Sequence, residues 1–282
     1  MKNFSKDSKI KQQPVESEKM NREPKTALKN TFLGASLKGK VAIITGGDSG
    51  IGKAVALLFA SYGIHCSIVY YEENKDAEKT IDEIKSKGVK ALQFQGDIRE
   101  EEFRKEIVKE TIQNLGGIDF LINNAGVQYK QTDFTKISPQ QLLQTFEVNF
   151  FSMFSFTQMV IEKMSKGACI VNTASITAFR GSGGLVDYAS TKGAIVSFTR
   201  SLATQLADKG IRVNAVAPGP IWTPLIPASF NEQHVEDFGK DTLIGRAGEA
   251  NEVAPSYLFL ILEENSYMTG QVLHPNGGEI VS

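Results

Sequence analysis

The chain has 282 residues, 41% of them hydrophobic and 22% charged, with a formal net charge of −1. That length and balance suit one large globular domain with a substantial core. The near-neutral charge excludes the basic footprint of a nucleic-acid surface, and the apolar stretches at 150–156 and 257–262 are too short or too interrupted to span a bilayer.

Residues 1–36 form a polar N-terminal arm, rich in Lys, Glu, Gln, Ser and Asn and holding Pro14 and Pro24. The arm lacks the apolar core of a signal peptide, so a cytoplasmic protein is expected. Beyond it, short β-rich runs alternate with amphipathic segments. A buried strand is expected at 41–44, a helix at 51–61, a strand at 66–70, and a helix at 76–87 that stops at Gly88. Strands follow at 91–94 and 118–122. Ser138-Pro139-Gln140-Gln141 reads as a capping box with proline at the first helical position, opening one long helix. Further strands are expected at 169–172, 212–217 and 271–273. The alternation implies an α/β fold with a doubly wound parallel sheet flanked by helices, filling 37–282 as one domain. Cys66 and Cys169 lie inside strand-like runs and read as buried thiols. His65, His234 and His274 have no metal-ligand spacing, so no metal site is expected.

Two segments carry chemistry. Thr45-Gly46-Gly47-Asp48-Ser49-Gly50-Ile51-Gly52 joins the first strand to the first helix. Glycines allow close backbone approach to a pyrophosphate, and the helix N-terminus offers free N–H groups to the anion. The spacing is Gly-x3-Gly-x-Gly and lacks the Gly-Lys-Ser/Thr ending of a P-loop, which argues against an ATPase or kinase. A tight turn without a ligand is the plainer alternative. Tyr188 and Lys192 stand one helical turn apart on one face. Free tyrosine titrates near pH 10 and a neighbouring cation favours the phenolate. A solvated helix surface is the plainer reading of that pair alone.

In order, Thr45 to Gly52, Asp97, Asn123-Asn124-Ala125-Gly126, Asn149, Ser175, Tyr188, Lys192 and Pro218-Gly219 resemble the short-chain dehydrogenase/reductase family. The resemblance runs from about Leu37 to the C-terminus. It is nearest to bacterial members with a polar N-terminal extension and a His274-Pro275-Asn276-Gly277-Gly278 ending, where most of the family has Asp at the position of Asn276.

The resemblance implies a Rossmann-type domain that binds a nicotinamide dinucleotide and interconverts an alcohol with an aldehyde or ketone. It implies that Tyr188 is the proton donor and acceptor, Lys192 lowers its pKa and holds the ribose, Ser175 holds the substrate oxygen, and Asn149 holds a relay water. Gly46, Asp48, Ser49, Gly50, Ile51 and Gly52 are expected at the dinucleotide phosphates and ribose, with Tyr70, Tyr71 and Glu72 nearby. Asp97 and Ile98 are expected at the adenine, the plainer role of Asp97 being a helix N-cap. Asn124, Ala125 and Gly126, then Pro218, Gly219, Ile221 and Thr223, are expected around the nicotinamide half, with Tyr188 and Lys192. Asn123 to Gly126 have a structural turn as the alternative.

The stretch 221–247 reads as a substrate lid in which Trp222, Phe230 and Phe238 either shape the pocket or pack the lid. Phe150, Phe151, Phe154 and Phe156 read as core, and the resemblance adds a subunit seam and a homotetramer. NAD is favoured over NADP, because Tyr70-Tyr71-Glu72-Glu73 and Asp48-Ser49 supply no arginine for a 2′-phosphate; Lys53 and Lys75 are the nearby cations. Two other classes remain: a dinucleotide-binding regulatory protein without catalysis, and a nucleotide-sugar epimerase or dehydratase, for which the chain lacks a large C-terminal substrate domain. The substrate itself is not legible.

Overall fold

The computed structural model describes residues 34–72, 74–229 and 236–279. The arm expected at 1–36 lies outside them except for its last three residues, and Phe230 lies outside them too. The described chain enters through a 3-10 turn, Ala35–Leu37, which buries Leu37.

Six strands follow in order: β1 (Val41–Thr45), β2 (His65–Tyr70), β3 (Ala91–Gln95), β4 (Phe120–Asn123), β5 (Cys169–Thr173) and β6 (Arg212–Val216). Two short strands, β7 (Ile221–Trp222) and β8 (Gly248–Glu249), pair with each other, and β9 (Val272–Leu273) closes the main sheet. The main sheet is parallel throughout, in the order β3-β2-β1-β4-β5-β6-β9. Its central strands read Val-Ala-Ile-Ile-Thr and Cys-Ile-Val-Asn-Thr and are buried on both faces, as a sheet covered by helices on each side requires.

The helices are α1 (Gly50–Ser61), α2 (Asn74–Lys85), α3 (Glu101–Leu115), α4 (Pro139–Phe146), α5 (Ser152–Ile161), α6 (Thr177–Arg180), α7 (Val186–Leu206), α8 (Leu225–Ser229) and α9 (Ala250–Ile261). One face of the sheet packs α1, α2 and α9 around Phe59, Ile81 and Tyr257. The other packs α3, α5 and α7 around Ile107, Phe156 and Leu202. The strand order reverses between β1 and β4, so a crevice opens at the carboxyl ends of the strands there. No helix among the described residues is long and apolar enough to cross a membrane.

The long helix opened by Ser138 is present over 139–161, with a π-helical turn, Glu147–Phe151, set between α4 and α5. The turn centres on Asn149, whose side chain is engaged outside the helix, as described below. The capping box is half made. Ser138 Oγ accepts from Gln141 N at 3.0 Å, but the Gln141 side chain turns to Asp187 Oδ2 at 3.0 Å instead of back to Ser138. Both cysteines are free and buried, and burial pushes their thiols up, to about 12 for Cys66 and about 11 for Cys169.

Candidate active site

The glycine loop leaves β1 and turns into α1 with Gly46 at φ 61° and Gly50 at φ 50°, conformations that L side chains rarely adopt. A Cβ on Gly52 would lie 1.9 Å from Gly46 O, so only glycine lets the loop fold back on its helix. Ser49 stands at the N-cap of α1 without a capping hydrogen bond from its side chain. The first-turn N–H groups therefore point out of the helix end, and with the dipole they fit a pyrophosphate. Thr223, just beyond β7, packs over the loop, 3.2 Å from where a Cβ on Gly50 would be.

The Asn-Asn-Ala-Gly segment divides its labour. Asn123 is structural: its Nδ2 donates to Asn172 Oδ1 at 2.9 Å and Thr157 Oγ1 at 3.0 Å, and Asn172 passes the ladder on to Thr199 Oγ1 at 2.9 Å. Asn124 serves the loop, donating from Nδ2 to Thr45 O at 3.1 Å and Gly46 O at 3.0 Å. The N–H groups of Asn124 and Ala125 both meet Thr45 Oγ1, at 2.9 and 3.0 Å. Thr45 is thus the junction of loop and segment, a role its place in the motif did not disclose.

Asn149, Ser175, Tyr188 and Lys192 converge at the carboxyl ends of β4 and β5. Asn149 Oδ1 accepts from Val127 N at 2.8 Å, and its Nδ2 donates to Val127 O at 2.9 Å and to Thr191 Oγ1 at 3.2 Å. That clamp holds the segment after Gly126 against the π turn. A Cβ on Gly126 would sit 3.3 Å from Asn149 Oδ1 and 3.7 Å from Lys192 Nζ, so the backbone passes close by. Lys192 Nζ donates to Thr173 O at 2.7 Å and lies 5.4 Å from the centre of the Tyr188 ring. Ser175 Oγ accepts from Thr177 N at 3.2 Å and contacts Thr177 Oγ1 at 3.0 Å.

The electrostatics differ from the sequence expectation. Burial pushes the Tyr188 phenol up to about 12, against the smaller opposite effect of a hydrogen bond to Ser175. Burial also brings the Lys192 ammonium down to about 8. In this arrangement the lysine is bonded to a backbone carbonyl, and loss of hydration disfavours its charged form.

Tyr188 is preceded by Asp187, which sequence reasoning missed. Asp187 is 2% exposed. Its carboxylate accepts from Tyr188 N at 2.9 Å and Gln141 Nε2 at 3.0 Å, with Thr145 Oγ1 at 2.9 Å. It thereby joins α4 to the first turn of α7. Arg99 was also missed. It grips Asp97 through Nε, at 3.0 and 2.9 Å from the two carboxylate oxygens, and holds that carboxyl below its usual range. The N-cap alternative for Asp97 falls away, because α3 is preceded by Glu100. The spacing Asp-x-Arg was the available signal. Ile98 packs on the α3 side of the core, and its carbonyl accepts from Arg104 Nη1 at 2.7 Å.

The remaining expected residues spread along the crevice. Ile51 packs partly buried against the α1 core. Asp48 is 8% exposed, and burial raises its pKa, with Asp76 adding to the effect. Tyr70 ends β2 with its hydroxyl on Asn74 Oδ1 at 2.9 Å, while Tyr71 and Glu72 are exposed. Pro218 O accepts from Ile176 N at 3.0 Å, and Gly219 N donates to Pro275 O at 3.1 Å. A Cβ on Gly219 would be 2.6 Å from Asn276 Cα. Asn276 fixes its own turn, donating to Glu279 O at 2.7 Å and accepting from Gly278 N at 3.0 Å. Ile221 is buried in β7. A groove of about 930 Å³ between α1, α9 and the β7 region reaches the loop at Gly50 and Thr223 but is lined by none of Asn149, Ser175, Tyr188 and Lys192. Among the described residues no cluster of His, Cys, Asp and Glu is arranged to hold a metal.

Residues 46–279 match the family model described as enoyl-(acyl carrier protein) reductase. The uncharacterized oxidoreductase YhdF of Bacillus subtilis is 50% identical over 270 residues, covering 96% of this chain and 93% of that one. The NADPH-dependent aldehyde reductase 1, chloroplastic, of Arabidopsis thaliana is 47% identical over 277 residues, covering 96% of each chain. Among solved structures, a short chain dehydrogenase from Burkholderia cenocepacia J2315 in complex with NADP matches with a TM-score of 0.80 at 29% identity, covering 86% of this chain and 98% of that one. The chain belongs to the short-chain dehydrogenase/reductase family of oxidoreductases.

Proposed function

We propose that this protein transfers hydride between a nicotinamide dinucleotide and an alcohol/carbonyl pair, with Tyr188 as the general acid and base. The observation that carries the reading is the convergence of Asn149, Ser175, Tyr188 and Lys192 beside a glycine loop in which Gly52 has no room for a side chain. The dinucleotide, when bound, supplies or accepts the hydride. The protein supplies position and a proton. Tyr188 Oη gives its proton to the substrate oxygen in reduction and takes one in oxidation. Ser175 Oγ holds that oxygen beside the phenol. Lys192, which donates to the Thr173 carbonyl, would hold the ribose hydroxyls of the dinucleotide, and its charge would stabilise the phenolate. Asn149 keeps the path from Lys192 to solvent in place. Segment 221–247 serves as the substrate lid, and residues 1–36 take no part in the chemistry.

Tyr188→Phe tests this. Turnover is expected to fall about 10²–10⁴-fold, while NADH or NADPH fluorescence titration stays near wild type. Retained activity overturns the mechanism. Dinucleotide binding by the wild type without turnover on any alcohol or aldehyde would instead favour a non-catalytic regulatory protein.

For the cofactor, the charge around the loop supports NAD(H). Lys53, the nearest cation of α1, is bound to Glu83 at 2.9 Å, and Asp48 lies buried with Asp76 close by. The second reading, NADP(H), is favoured by the Arabidopsis relative named for NADPH. A tenfold preference in kcat/KM on one good substrate decides between them.

The protein assembles as a homotetramer, at minimum a dimer. The exposed rings of Phe151 and Phe154 continue through Phe198, 5.2 Å from Phe154, into one apolar face of α5 and α7. A monomer in light scattering at micromolar concentration rules this out.

A further inference from the structure

Tyr257 is a fully buried tyrosine of α9 that the proposed chemistry does not use. Its hydroxyl lies 2.7 Å from Thr173 Oγ1, at the carboxyl end of β5. Thr173 Oγ1 is also 3.3 Å from Asn124 Oδ1. The donors can be assigned. Asn124 Nδ2 is committed to Thr45 O and Gly46 O, so Asn124 Oδ1 faces Thr173 and accepts only. Thr173 has a single hydroxyl proton, and it goes to Asn124. Tyr257 therefore donates to Thr173. Burial raises the Tyr257 pKa further, which keeps the donor proton in place.

The result is a directed chain, Tyr257 to Thr173 to Asn124 to the carbonyls of Thr45 and Gly46. Its last link holds the loop against which Gly52 packs. The backbone carbonyl of the same Thr173 is the acceptor of Lys192 Nζ at 2.7 Å. Thr173 thus bonds both the lysine and the asparagine that holds the glycine loop. Upstream, α9 begins at β8, which pairs with β7 at the two ends of the segment 221–249.

We infer that Tyr257 is a positioning residue for dinucleotide binding, acting through Thr173 to fix the Asn124 amide and with it the glycine loop. The inference rests on the dinucleotide-binding reading above. Removing the hydroxyl leaves the ring and its packing in place. The Thr173 hydroxyl then loses the donor that holds it in place, and its hydrogen bond to Asn124 Oδ1 is held less firmly.

The test uses the full chain as Tyr257→Phe, Thr173→Val, the double variant, and Thr173→Ser. Dissociation constants for NADH and NADPH are measured by fluorescence titration, kcat and KM by initial rates, and Tm by calorimetry. Tyr257→Phe and Thr173→Val are each expected to weaken the preferred dinucleotide about 5–10-fold, the loss expected of one buried hydrogen bond. KM for the dinucleotide should rise more than kcat falls. The double variant should be no weaker than Thr173→Val alone, because one chain is cut in two places. Thr173→Ser, which keeps the hydroxyl, should restore binding. A lowered Tm with affinity within twofold of wild type in both single variants would overturn the inference and make the pair structural. Additive losses in the double variant would overturn it also. If Tyr257→Phe does not fold, Thr173→Val cuts the same contact from its other side. Wild-type protein that binds neither dinucleotide overturns the functional reading, and this inference with it.

Discussion

The glycine loop is shaped by backbone, whereas the described residues of segment 221–249 expose large side chains. In the loop, a Cβ on Gly52 is blocked by Gly46 O, and Asn124 Nδ2 and Thr45 Oγ1 bond main-chain partners. Across the crevice, Trp222, Leu243 and Ile244 are exposed, while β7 pairs with β8, the buried Thr242 bonds Gly239 O and Arg246 O, and Arg246 forks onto Glu252 at 2.7 Å. A loop shaped by backbone recognises what all dinucleotides share. Exposed side chains are free to change with the substrate without disturbing the fold. The two regions should therefore respond differently to substitution.

The largest effect is expected from Gly52→Ala. The added methyl would lie 1.9 Å from Gly46 O, and neither backbone has room to give. A stability loss of about 3 kcal/mol in urea unfolding is expected, with dinucleotide affinity down at least about 100-fold, which corresponds to about 2.7 kcal/mol. Normal binding of NADH or NADPH by the Gly52→Ala variant would mean the loop is not rigid.

Lys192 comes next and is read through pH. Its folded pKa of about 8 lies below the unfolded value of 10.5, so the fold disfavours the ammonium. The unfolded state then binds more protons between those values, and stability rises with pH from about 8 toward 10.5. The penalty present below pH 8 is about 3 kcal/mol, from 1.36 kcal/mol per unit. Wild type should gain on Lys192→Met in stability as pH rises from 8 to 10. The scan stops there because Tyr188, held at about 12, loses stability above pH 10 with the opposite sign. Parallel curves for the two proteins would show that Lys192 keeps an ordinary pKa.

Asp187 lies in neither region but on the seam between α4 and α7. Asp187→Ala leaves Gln141 Nε2 without its carboxylate partner and frees the first turn of α7. A loss of about 2 kcal/mol is expected, with kcat reduced and dinucleotide affinity within twofold of wild type. An affinity loss as large as that of Gly52→Ala would mean that the seam and the loop are one unit.

How much of this was legible in the sequence follows the same division. The glycine loop and the Tyr188–Lys192 pair could be read because backbone geometry or helical spacing dictates which residue types work there, while the Asn-Asn-Ala-Gly segment was read through the family resemblance. The strands of the main sheet were found to within about two residues, since a parallel sheet buried on both faces leaves continuous apolar runs, whereas the short pair β7 and β8 was not. The π turn at Asn149 was not legible, because the cause is a contact with Val127, distant in sequence. Asp187, Arg99, Thr173 and Tyr257 were missed for a related reason: their partners come from other elements or from an unremarkable i, i+2 spacing. The burial of Tyr188 and Lys192 was not legible, because sequence gives a neighbouring cation but not its surroundings.

The smallest effect on stability, and the sharpest test of the division, belongs to Trp222. It lies in β7 opposite Glu249 and is 44% exposed. An exposed ring makes few contacts to lose, so Trp222→Ala should cost less than about 1 kcal/mol. Dinucleotide affinity should remain within twofold of wild type, because Thr223 and not Trp222 packs over Gly50. KM for a bulky aromatic aldehyde should change at least about threefold, equivalent to about 0.7 kcal/mol, while KM for a small aliphatic aldehyde stays put. If instead the two substrates respond alike and the dinucleotide affinity drops, Trp222 is packing for the glycine loop, and the separation between the two regions does not hold at β7.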